Sequence, residues 1–154
     1  MQTFHNYIGG KWKPSSSKKT FLDINPANTD DIIGAFPESN ADDVKEAAEA
    51  ARKAYKTWRL VPAPKRGDIM RKAGMILESR KDEIAREMTR EMGKVFTETK
   101  GDVQEGIDTA YYAATEGRRL FGHTVPSELS NKFAMSVRQP IGVAGCITPW
   151  NFPL

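Results

Sequence analysis

Residues 141–154 read I-G-V-A-G-C-I-T-P-W-N-F-P-L, an uncharged run that ends in a Pro-Trp-Asn-Phe-Pro corner. Over residues 141–148 apolar and small side chains fill both alternating faces. That is the pattern of a strand buried on both sides, as in the parallel sheet of an α/β domain. A parallel neighbour reached through a crossover helix takes roughly 30 residues or more for the whole βαβ unit. Only residues 149–154 follow the run, so the expectation is the first strand of a sheet left incomplete.

The corner has a chemical reading of its own. Pro149 and Pro153 bracket Trp150, Asn151 and Phe152, so the backbone leaves the strand stiffly and the residue before each proline is pushed towards extended geometry. An asparagine there offers two amide N–H donors without a charge. Ligands of open α/β sheets sit beyond the carboxyl ends of the strands, and Asn151 lies just past one. Two roles stay open for it: its amide faces a developing oxyanion, or it caps the next helix or bonds to a nearby turn.

I-T-P-W-N-F-P-L, preceded by R-Q-P-I-G-V-A-G, resembles the end of the first cofactor-domain strand in the aldehyde dehydrogenase superfamily. Y-I-G-G-K-W at 7–12, I-N-P at 24–26, E-M-G-K at 91–94 and Y-Y-A at 111–113 agree with it in order. M-T-R-E-M-G-K-V at 88–95 and K-G-D-V-Q-E-G-I-D at 100–108 are most similar to bacterial members acting on semialdehydes, including 2-oxoglutarate semialdehyde.

The resemblance implies NAD(P)+-dependent oxidation of an aldehyde to a carboxylic acid. It implies that Asn151 donates to the oxyanion, that Ile147, Thr148, Pro149 and Trp150 run alongside NAD or NADP, and that Phe152 borders the aldehyde pocket. It also implies an α/β fold made of an amino-terminal β-meander, four helices, an antiparallel arm strand and the first strand of a Rossmann-like sheet. Residues 1–123 would then be the first part of the cofactor-binding domain, 124–140 an arm segment joining subunits of a homo-oligomer (dimer or tetramer), and 141–154 the strand and corner.

Members of that family are considerably longer, with the nucleophilic cysteine, the general-base glutamate and the phosphate-side glycines and lysine beyond residue 154. The chain is therefore expected to be an amino-terminal fragment, inactive by itself. A rival reading is a non-catalytic interaction module that pairs through its unfinished sheet and the alternating segment before it.

Composition agrees with a globular chain. Its 154 residues suffice for one ordinary core, and 39% hydrophobic with 28% charged residues argue against disorder. There is no apolar run long enough to span a membrane and no signal-like core at the start, so the cytoplasm is the expected location. The net charge of +3 is mostly interspersed, and the cluster Lys11, Lys13, Lys18 and Lys19 reads as a solvated hairpin tip, giving no support for a nucleic-acid partner.

The single cysteine, Cys146, fits a reducing compartment. It sits in the apolar run with Arg138 as the nearest basic residue, and reads as an inert core side chain. His5 and His123 have no spaced ligand set, so no metal is expected, and the carboxylates lie scattered on helix faces.

Along the chain, Gly9-Gly10 suits a hairpin turn, and short strands are expected over residues 3–8, 11–12, 20–24 and 32–36. A first helix follows Ser39 or Asn40 as cap, with Val44, Ala47, Ala48, Ala51, Ala54, Tyr55 and Trp58 as its inner stripe. A second starts at Pro64 and turns Ile69, Ala73, Ile76 and Leu77 inward. A third begins near Asp82, with Ile84, Ala85, Met88 and Met92 inward and Asp82 paired to Arg86, and stops at Gly93. A fourth is expected from about Thr97 to Leu120 with Gly122 as stop; Tyr111 and Tyr112 on it suit a core margin or a pocket wall. Phe133, Met135 and Val137 then alternate with Ala134, Ser136 and Arg138 at a period of two.

Overall fold

The computed structural model describes residues 1–154. Four helices carry the structure: α1 (Ala41–Trp58), α2 (Ala63–Ser79), α3 (Lys81–Met92) and α4 (Phe96–Glu116). Six short strands surround them: β1 (Asn6–Ile8), β2 (Lys11–Lys13), β3 (Thr20–Ile24), β4 (Ile32–Pro37), β5 (Thr124–Val125) and β6 (Ala134–Met135). No helix is long and apolar enough to cross a membrane.

The core lies between α3 and α4, where Ala85 and Met88 meet Val103 and Ile107. Ile84, Met92, Leu77, Phe96 and Tyr111 pack round this cluster. The inner face expected of α3 is thus the observed one. Thr99 is fully buried there, and its hydroxyl is satisfied by the Ala85 and Phe96 carbonyls at 2.9 and 3.0 Å and by the Thr89 hydroxyl at 2.9 Å. A buried polar group left without such partners would cost free energy rather than add it.

Helix α2 meets α4 through glycine. A Cβ on Gly67 would stand 2.3 Å from the Ala114 carbonyl oxygen, and one on Gly117 2.4 Å from the Ala63 oxygen. Gly74 lies under the Tyr111 ring in the same seam. Close backbone approach of this kind admits no side chain. It also revises two expectations. Ile69 and Ile76 are exposed, because the inward face of α2 is set by Gly67 and Gly74, which carry no apolar signal. Helix α4 stops at Glu116 rather than near Leu120, because Gly117 is fixed against the start of α2.

Helix α1 begins as its cap predicts. The Asn40 side chain accepts from the Asp42 N–H at 2.9 Å, and the Asp43 carboxylate accepts from the Asn40 N–H at 2.9 Å, closing a capping box. Asp43 is buried and also accepts from the Ser16 N–H at 2.8 Å, which ties the helix start to the loop after β2. The Asn40 N–H, followed by the Ser16 donors, holds the Asp43 carboxyl below its ordinary value against the opposing effect of burial. The expected alanine stripe is not buried: Val44 and Trp58 are exposed and Asp43 is the one buried residue of α1. Ala48, Ala51 and Tyr55 on that face are only half-buried, with the first hairpin lying against part of it.

The amino-terminal strands form two antiparallel hairpins instead of one continuous meander. β1 and β2 pair round Gly9-Gly10, both at positive φ, and β3 pairs with β4 with a register shift between Asp23 and Ile24. A parallel bridge from Thr3 to Ala35 joins the chain start to the second hairpin, with Phe4 over Gly34 and stacked on Phe36 at 4.5 Å. The second hairpin is tied to α3 by Arg90, whose Nε donates to Asp31 at 2.7 Å. With a further hydrogen bond from Asn25, this guanidinium holds the Asp31 carboxyl down at about 2. On α3 the expected Asp82–Arg86 pair is replaced by Asp82–Lys100 at 2.8 Å, because α4 brings its own lysine within reach.

β5 and β6 form a small antiparallel ribbon, with residues 126–131 as the loop that the sequence suggests. The run 141–148 is the main departure. It pairs with no strand, and its residues lie exposed. Cys146 is accordingly an exposed free thiol and not a core residue. An apolar strand becomes buried only when neighbours supply both edges and both faces, and residues 1–154 supply none here.

Three outcomes follow from these contacts. Gly67→Ala should lower stability by about 1–3 kcal/mol, because a backbone carbonyl cannot step aside, whereas Gly101→Ala, with nothing within 4 Å of the added Cβ, should raise it by about 0.4–1 kcal/mol. Urea unfolding of both variants measures the contrast. Because the Asp31 carboxyl sits at about 2 against an ordinary 3.8, its contribution is fully present above the ordinary value and disappears as pH falls through the folded one. Asp31→Asn should therefore show a smaller fall in urea midpoint on acidification through that window than the unaltered chain, and equal falls in the two proteins would contradict the pairing. Cys146 should react to completion with a thiol reagent without denaturant, while protection relieved only by urea would mean that the segment is covered.

Candidate functional site

The corner after the unpaired run is a β-turn. The Phe152 N–H donates to the Pro149 carbonyl at 3.2 Å, which places Trp150 and Asn151 at its two central positions. Prolines on either side limit the backbone before and after it, so the turn is stiff by construction. Ile147 is 99% and Trp150 88% exposed, and Thr148, Pro149 and Asn151 are exposed as well. The Asn151 side-chain amide makes no hydrogen bond within residues 1–154, so the bond to a nearby turn considered for it is not formed there.

Beyond the turn the chain folds back onto α4. Leu154 packs against the notch left by Gly106, where an added Cβ would come within 2.8 Å of its Cδ2. Phe152 lies over Lys94, with Nζ 4.8 Å from the ring centroid. Lys94 follows the left-handed Gly93 that ends α3, and its ammonium donates to both carboxylate oxygens of Asp102 on α4, at 2.7 and 3.0 Å. The side chains are 22% and 8% exposed. A charge pair this enclosed is costly to break from one side, because the remaining charge is left without a partner.

Two recesses flank the carboxyl-terminal leucine. One, of about 420 Å³, lies between the β3–β4 hairpin and α3 and is lined by Phe4, Phe36, Met88, Glu91, Pro153 and Leu154 among others. Burial, reinforced by the nearby charge of Asp23, pushes the Glu91 carboxyl above its ordinary value. The other, of about 440 Å³, lies between α2 and α4 and includes Leu77, Asp102, Gly106, Phe152 and Leu154. Nowhere do three or more His, Cys, Asp and Glu side chains converge as a metal site.

The structure therefore brings Pro149, Trp150, Asn151 and Phe152 together in one turn and seats Phe152 on the helices. Ile147 and Thr148 precede it on the exposed run. Sequence reasoning passed over Lys94 and Asp102: E-M-G-K stands out as a motif, but nothing in the spacing from Lys94 to Asp102 says that they meet beneath Phe152. Tyr111 packs at the core margin, with its hydroxyl donating to Glu78 at 2.6 Å, and also lines a recess of about 430 Å³ beside Gly67 and Ala114, whereas Tyr112 is exposed.

Chain and fold can be set beside known proteins. The family model described as "Aldehyde dehydrogenase family" matches residues 12–154, from the second strand through the corner. The alpha-ketoglutaric semialdehyde dehydrogenase of Bacillus subtilis is 41% identical over 152 residues, covering 99% of this chain and 31% of that protein. Among solved structures, an NADP-dependent enzyme of E. coli superposes with a TM-score of 0.92 at 36% identity, covering 97% of this chain and 31% of its own. An NAD-dependent aldehyde dehydrogenase from Sinorhizobium meliloti superposes with a TM-score of 0.92 at 32% identity, covering 99% and 31%. The chain thus spans about a third of the length of the relatives it matches. With sequence match, helix arrangement and corner in agreement, the chain belongs to the aldehyde dehydrogenase family.

Proposed function

We propose that these residues form part of an enzyme that oxidises a semialdehyde to the corresponding carboxylate with NAD+ or NADP+, and that Asn151 is its oxyanion donor. The observation that carries this reading is the turn: Asn151 stands at its third position with an exposed amide that no group in the chain engages. When a nucleophile adds to an aldehyde carbonyl, negative charge gathers on the oxygen. A fixed amide N–H aimed at that oxygen stabilises it with little reorganisation. The relatives' names support the semialdehyde class, with alpha-ketoglutaric semialdehyde dehydrogenase the first of them.

Ile147, Thr148, Pro149 and Trp150 suit one wall of a nicotinamide site. They are exposed and carry no charge, and Ile147 and Trp150 offer apolar surface to a flat ring. When bound, the dinucleotide would accept the hydride. Phe152, half-covered by Lys94, would form the apolar border of the aldehyde pocket. On this reading the attacking thiolate and the water-activating glutamate would come from outside these residues, and Cys146, which precedes the turn on the same run, would not be the nucleophile. The exposed Val125 and Met135 of the β5–β6 ribbon, with Phe133 and Val137 beside it, suit the arm that would join subunits.

Residues 1–154 alone should give no NADH or NADPH with a semialdehyde, whereas a full-length family polypeptide carrying them should. In that polypeptide Asn151→Ala should lower kcat roughly 100- to 1,000-fold with KM little changed, as loss of one oxyanion donor does. Unchanged kcat would remove Asn151 from the role, and turnover by the 154-residue chain alone would overturn the account of the absent groups.

A further inference from the structure

We draw no further inference here: the strongest candidate, the recess of about 440 Å³ between α2 and α4 that Glu105, Gly106 and Phe152 help to line, belongs to the site already described, and nothing in the structure shows what covers its open side.

Discussion

Helix α4 can touch two helices at once because glycine lets one of them come unusually close. At Gly67 and Gly117 the backbones of α2 and α4 approach to distances that a single methyl group would forbid. Packing this tight uses backbone surface as well as side chains, and gains from dispersion over many small contacts. With α2 held on one side, α4 offers Val103 and Ile107 to α3 on another, and its Gly106 and Asp102 remain for the carboxyl-terminal segment. The arrangement of the candidate site is downstream of that one seam.

The polar groups drawn into this framework are paid off locally. Thr99 is buried with three partners, Asp43 closes a cap while holding the β2 loop, and Asp102 meets Lys94. None is left without a partner. These groups also give direction, since hydrogen bonds and charge pairs fix orientation where apolar contacts fix only proximity. Asp102 is the case nearest the candidate site, because it sets where the Lys94 ammonium stands beneath the Phe152 ring.

The parts of the fold that were legible in the sequence are those decided within a few residues. Asn40 caps α1, Gly93 ends α3 in the left-handed conformation, Gly9-Gly10 turns the first hairpin, and residues 126–131 loop between β5 and β6. Each reflects a local backbone requirement. What was hidden depended on another element: the glycine face of α2, the end of α4 at Gly117, and the choice of Lys100 over Arg86 by Asp82. A glycine carries no hydrophobicity for a periodicity to register, so a face built on glycines reads as none.

The sequence by itself determined the family, through ordered short motifs, and it determined the corner, because two prolines around Trp-Asn-Phe leave the backbone few choices. It did not determine burial of the run before that corner. The same apolar residues are a buried strand when neighbours cover them and an exposed segment when none do, and burial is a property of what surrounds a residue. Only the tertiary structure decided that the corner is seated on α4 through Phe152 and Leu154. Lys94 and Phe152 are far apart along the chain, and an attraction between them exists only once α3 and α4 have brought their flanking segments together.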